Sequence, residues 1–222
     1  MTHDDVLQTA RQLQAYWLRS VPAPSSASAQ QVLDQVLAGW NEPHRAYHTT
    51  QHLLEALTLL DEWSRAEEWP ATVALALFFH DLVYDPRRAD NEDLSALVAR
   101  EMLASLLLPQ AQIEAVVRLI DITKHAARPL SEDEKLMVDV DLSILGAAPE
   151  RYAQYQLQVR REYAHVPEPL FTRGRLVVLE AFLHARPALY HTERGRSAFD
   201  AAAARNLAHE VAQLRAALAT AA

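Results

Sequence analysis

Apolar positions recur every three to four residues through most of the chain, the spacing of an amphipathic helix. The pattern predicts helices over residues 4–19, 29–40, 48–68, 90–108, 110–126, 131–146, 150–164, 168–185 and 197–219. A further helix starts at Trp69-Pro70, because proline suits the first helical turn. The core-facing set is Val6, Leu7, Leu13, Trp17 and Leu18 in the first helix, and Leu53, Leu54, Leu57 and Leu60 in the third. Prolines, from Pro22 and Pro24 to Pro187, fall between these segments or at their starts and punctuate them. From Val73 to Phe79 the chain is apolar on every side, as in a helix buried all round. The Ala-rich last segment keeps Leu207, Val211, Leu214 and Leu218 on one stripe, so it packs, on the protein's own core or on a second subunit.

Composition narrows the fold. The chain has 39 Ala and 33 Leu against 20 Val plus Ile and only 4 Gly, which points to an all-α fold and away from sandwiches, barrels and glycine-loop nucleotide folds. A length of 222 residues suits one domain over 1–222, the final helix at about 197–219 packing on it. No run of 18 apolar residues is present, and the acidic N-terminal stretch is unlike a signal peptide, so a cytoplasmic protein with no membrane partner is expected. With no cysteine there is neither a disulfide framework nor a thiolate metal site. The formal charge of −8 argues against a nucleic-acid polymer as partner, but leaves room for a small anion held through a cation. A homo-oligomer stays open. Ten histidines are many for this length and call for a reason.

Three stretches carry the chemistry. The buried run ends in His80-Asp81, where a carboxylate emerging from apolar surroundings needs a partner, a metal or an exit to solvent. Tyr47-His48-Thr-Thr-Gln-His52 sets two histidines four apart, stacked on one face if helical, with His52 at the edge of the leucine stripe. Asp139-Val-Asp141 lies inside an apolar run read as a helix capped by Gly146; there Asp141 is nearer the stripe Val138, Leu142 and Leu145, and Asp139 points elsewhere. Together His52, His80, Asp81 and Asp141 offer two imidazoles and two carboxylates. That set suits one divalent ion (Mn, Fe, Mg, Co or Zn), with about two of six positions left for water or substrate.

The order His52 … His80-Asp81 … Asp141 resembles the HD superfamily of metal-dependent phosphohydrolases. The flanking blocks Phe78-Phe79-His80-Asp81-Leu-Val-Tyr84-Asp85, Asp90-Asn91-Glu92-xx-Ser95-Ala96, Thr123-Lys124-His125 and Asp139-Val-Asp141-Leu-xx-Leu-Gly146 are similar to a bacterial subgroup of predicted HD phosphohydrolases. So are Arg161-Glu-Tyr163, Phe171-xx-Gly174-Arg175 and Arg186-xxx-Tyr190, which extends the resemblance over about 40–192. It implies a helical bundle with the metal site in a cleft between helices, and hydrolysis of a phosphomonoester or phosphoanhydride, often of a nucleotide.

The resemblance also suggests further roles. His48 is a candidate donor to the leaving oxygen. Asp85, four after Asp81, and Glu92 are candidates to orient or deprotonate water, against the plainer readings of a helix end and a capping residue. Lys124 and His125 either bind phosphate or meet the end of a helix dipole. Arg45 and Arg87 are candidate phosphate clamps, Arg88 beside them, and Asn91 caps, orients or touches substrate. His3, His44, His165, His184, His191 and His209 read as surface or capping residues. Two other classes stay in view: an HD-fold di-iron oxygenase, disfavoured because His125 is the one histidine between the His-Asp pair and Asp141, and a nucleotide-binding regulatory module without catalysis.

Overall fold

A computed structural model describes residues 3–23, 26–64, 68–184 and 189–220. Among these the chain forms ten α-helices and one 3₁₀ turn, with no strand. No described helix is long and apolar enough to cross a membrane. Pro24, residues 65–67 of the expected third helix, Ala185, Arg186 and Pro187 lie outside the described residues. Two compact units are distinguished, Met1–Val140 and Asp141–Ala222.

The first unit holds α1 (His3–Ser20), α2 (Ala27–Trp40), α3 (Thr50–Trp63), α4 (Ala71–Phe79), α5 (Asn91–Ser105), α6 (Gln110–Ile122) and most of α7 (Glu132–Asp141). Short polar side chains start several of them. Ser26 accepts from the Ala29 amide, and Thr49 accepts from the Gln51 amide. At α7, Ser131 and Glu134 cap each other's amides reciprocally, a box that holds the Glu134 carboxyl below its usual range through the Leu130 and Ser131 amides. Helix α4 is the axis of this unit: it contacts α1, α3, α5 and α6, and Val73 to Phe79 are all 0% exposed. Trp17 meets Phe78 edge-on at 5.2 Å and donates to the Ala29 carbonyl, tying α1 to α2 and α4. Of the five residues expected inward from α1, Leu13 and Trp17 are buried. Val6, Leu7 and Leu18 are 40–49% exposed; Leu7 and Leu18 share an outward face, and single exposed leucines are ordinary on folded surfaces.

The expected helix over 131–146 is α7 followed by the 3₁₀ turn Leu142–Gly146. The stripe Val138, Leu142 and Leu145 is buried as expected, but the end of α7 is buried on every side from Met137 to Val140. Asp139 is 0% exposed while Asp141 is half-buried, the reverse of the single-helix expectation.

The second unit contains the 3₁₀ turn, α8 (Pro149–Glu162), α9 (Glu168–His184) and α10 (Glu193–Thr220). Helix α10 packs on α9 and on the 3₁₀ turn, which answers what the Ala-rich tail covers in this unit. Gly146 is needed for this approach and not for a left-handed cap. A Cβ there would lie 2.6 Å from Phe199 Cβ and 2.9 Å from its Cα, and no described glycine has positive φ. Asn206 donates to the carbonyls of Leu145 and Ala147. Arg175 forms a buried ion pair with Glu210 at 2.8 Å, and Tyr152 donates to the same carboxylate. Burial first, and the Glu210 charge next, push the Tyr152 phenol well above its ordinary range.

Candidate metal centre

The site is built where α3 begins and α4 ends. Thr49 caps α3, so His52 stands in the first helical turn, 3% exposed, while His48 lies in the preceding turn and not on the helix. The i,i+4 helical stacking expected of His48 and His52 is therefore replaced by an edge-on ring contact at 6.1 Å. The Thr49-Thr50 pair was the readable signal, since threonine favours a helix start. At the other side the all-apolar α4 carries His80 out of the core as its C-cap, 1% exposed.

Three ligand atoms converge there: a nitrogen from His52, a nitrogen from His80 and a carboxylate oxygen from Asp81 all lie within 4.8 Å of one another. His52 Nε2 is 3.4 Å from His80 Nε2, and His80 Nε2 is 3.1 Å from Asp81 Oδ2. Neighbouring ligands at right angles around an ion ~2.1 Å away would be about 3.0 Å apart, close to these two distances, so the group could hold a metal ion. The tautomer fits as well. His80 Nδ1 is 2.9 Å from the Leu77 carbonyl, which can only accept. Nδ1 therefore bears the hydrogen, and in the neutral ring Nε2 presents a lone pair toward Asp81. His52 Nδ1 meets the Tyr47 hydroxyl at 3.1 Å, and a hydroxyl serves either tautomer, as donor or acceptor. Nitrogen and oxygen donors without sulfur match Mn, Fe, Mg, Co or Zn and do not choose among them.

Several residues hold these ligands in place. Trp40 donates to the Phe78 carbonyl at 2.8 Å, and its ring lies 5.5 Å from His80 and 6.1 Å from His52. Arg45, expected as a phosphate clamp, has its side chain 0% exposed. Its donors go to Glu42 and to the carbonyls of His48, Asp81 and Leu82. All five of its N–H groups are thus committed, and it staples the 42–48 loop to the Asp81 turn. Gly39 allows α2 this close: a Cβ there would meet Leu82 Cδ1 at 2.5 Å and the Leu82 carbonyl at 3.3 Å.

The loop after Asp81 is not helical, so Asp85 is not stacked one turn beyond Asp81. It is clamped from α5 instead. Ser95 accepts from the Val83 amide, and the Asn91 side chain accepts from the Asp85 amide and donates to the Asp85 carbonyl. Asn91 thereby orients the backbone, one of its three expected parts. His44 Nε2 donates to the Tyr84 carbonyl at 2.7 Å from the opposite side. The Asp85 carboxylate accepts from the Arg87 amide, and the Arg87 guanidinium is 67% exposed, 3.9 Å from it. Arg88 pairs with Asp90. Glu92 is half-buried in the first turn of α5, on the face that carries Ser95 and Ala96.

His48 lies beside the cluster. Its Nε2 is 3.9 Å from Asp81 Oδ2, its side chain is 22% exposed, and its ring stacks on Tyr84 at 4.1 Å. Lys124 is bound to Asp93 at 2.6 Å and Asp121 at 3.0 Å, and these two carboxylates raise its pKa. His125 is exposed with φ of 51°, in the turn that ends α6. Asp141 is the first residue of the second unit and is not in the three-residue group. Trp40, Ser95 and Tyr84 carry positioning parts that depend on contacts between segments remote in sequence, and Tyr47 one that depends on the turn into α3. Compared with protein-family models, with curated proteins and with solved structures, the chain gives no significant match.

Proposed function

We propose that this protein is a metal-dependent phosphohydrolase of the HD type, acting on a phosphomonoester or phosphoanhydride, with nucleotides as the substrate class. The observation that carries the reading is the convergence of His52 Nε2, His80 Nε2 and Asp81 Oδ2, with the second nitrogen of each imidazole already bonded, to Tyr47 and Leu77. His52, His80 and Asp81 hold one divalent ion, and Asp141 is its fourth ligand by the resemblance of the motif order alone. A bound ion of this kind supplies Lewis acidity, polarising a phosphoryl oxygen and making water a stronger nucleophile near neutral pH.

The chain's own residues do the rest. Stacked on Tyr84 and 22% exposed, His48 is the donor to the leaving oxygen. Asp85 and Glu92 are the two carboxylates assigned to orient or deprotonate water; Asp85 accepts from the Arg87 amide through Oδ1, and one such bond does not use up a carboxylate. Lys124 has its charge offset by Asp93 and Asp121, and Arg45 is used internally, so neither answers a phosphate. Among the candidate phosphate clamps Arg87 is 67% exposed, its guanidinium 3.9 Å from the Asp85 carboxylate, and it is the one we assign to the substrate phosphate.

The test is phosphate and pyrophosphate release from a nucleotide panel by protein reconstituted with Mn²⁺, Co²⁺ or Mg²⁺. Release that disappears with chelator and in Asp81→Asn is expected. Protein that binds metal yet releases nothing from the whole panel would sink the proposal.

A further inference from the structure

Helix α9 is apolar on two faces. One side is turned to α10: Thr172 and Leu179, seven apart, are 3% and 0% exposed and Arg175 bonds Glu210, while Glu180, at the edge between this side and the opposite one, accepts from Arg215 through Oε1. The opposite face carries Leu170, Gly174, Val177 and Ala181, all exposed, Leu170 at 57% and Val177 at 68%. Their spacing of four, three and four is that of a coiled-coil seam, here turned outward. Phe171 and Val178 flank it on one side, Arg173 and Glu180 on the other. Nothing lies within 4 Å of a Cβ placed on Gly174, so the seam is open there.

We propose that α9 pairs with α9 of a second copy of this chain, antiparallel, about a two-fold axis. The seam selects that partner because it complements itself, as a two-fold interface must. Large and small residues alternate along it. An antiparallel copy sets Leu170 against Ala181 of the partner subunit and Val177 against Gly174 of the partner subunit, each bulky side chain filling the space above a small one. The same register brings Arg173 beside Glu180 of the partner subunit and Phe171 beside Val178 of the partner subunit, and symmetry repeats both pairs. A parallel copy would stack glycine on glycine, leaving a void, and would set Arg173 beside Val178 of the partner subunit with no opposite charge. The apolar face and the charge pair thus agree on one direction.

Light scattering on the full chain should give a dimer. Val177→Glu and, separately, Leu170→Lys should give monomers with an unchanged helical circular dichroism spectrum, since both positions are exposed in the single chain. The absence of native cysteine allows a register test. Protein carrying Leu170→Cys mixed with protein carrying Ala181→Cys should form a cross-linked dimer under mild oxidation. Leu170→Cys alone should not, because antiparallel pairing puts its two copies about 16 Å apart, beyond disulfide reach. A wild-type chain that stays monomeric at its highest soluble concentration overturns the proposal. So does a dimer kept by both charged variants, or a Leu170→Cys chain that cross-links to itself.

Discussion

The guanidinium of Arg45 donates to the carbonyl of Asp81 at 2.7 Å, so a fully buried cation holds the backbone of a candidate metal ligand. Removing it leaves the carbonyls of His48, Asp81 and Leu82 without their partner, at roughly 1–3 kcal/mol for each buried group stranded. Arg45→Ala should therefore lower the melting temperature sharply and weaken metal binding together. Arg45→Lys, with three donors in place of the five that Arg45 uses, should recover only part of either. Thermal melts with and without added Mn²⁺ read both effects.

Tyr47 acts through His52. Its hydroxyl can accept from Nδ1–H when Nε2 faces a metal, and partners that orient a ligating imidazole are typically worth 10–100-fold in affinity. Tyr47→Phe keeps the ring packing and should weaken metal binding by that order with little change in stability, measured by titration calorimetry. Unchanged affinity would remove Tyr47 from the ligand shell's support.

His48 and His80 should separate binding from turnover. His80→Ala removes a ligand and should abolish metal uptake in elemental analysis. His48→Gln should retain the metal while lowering nucleotide turnover about 10²–10⁴-fold, the usual worth of a general acid. Loss of metal in His48→Gln would move that residue into the coordination set.

Gly146 faces Phe199 with no room for a methyl group. Gly146→Ala should destabilise by about 1–3 kcal/mol through overpacking against backbone that cannot yield. Urea unfolding followed by circular dichroism measures it, and an unaltered midpoint would show that α10 shifts at no cost.

Tyr152 gives a pH dependence with a definite sign. Its folded-state pKa is raised above the ordinary 10.0, chiefly by burial and then by Glu210. The native state keeps this proton when the unfolded chain begins to lose it, so the stability it contributes is complete below pH 10 and falls as pH rises further. The slope from this one group is at most about 1.4 kcal/mol per pH unit. Comparing Tyr152→Phe with wild type between pH 9 and 11 isolates the contribution, and the variant should lose that part of the alkaline decline.

Most helices were readable from periodicity because Leu and Ala mark buried stripes plainly, and α4 announced itself by having no polar side at all. The pairing of His80 with Asp81 was likewise local and visible. What was not visible came from contacts across the chain. Arg45 reads as a phosphate clamp because nothing in sequence shows that Asp81 and Leu82 turn their carbonyls toward it. Asn91 reads as capping or orienting, and Ser95 has no role in the sequence; their grip on Asp85 and Val83 exists only once α5 packs. The order of Asp139 and Asp141 differs for another reason: the end of α7 is buried on every side from Met137 to Val140, which takes in Asp139 and which a one-sided stripe does not show.

Helix α4 is at once the centre of its unit's core and the rod whose end presents His80. Mechanical tolerance is therefore shared between the two: a core substitution that rotates or shifts α4 by a fraction of an ångström moves the imidazole by as much. Any selection for thermal robustness in this unit is thereby also a selection on ligand alignment, and the two traits will drift as one.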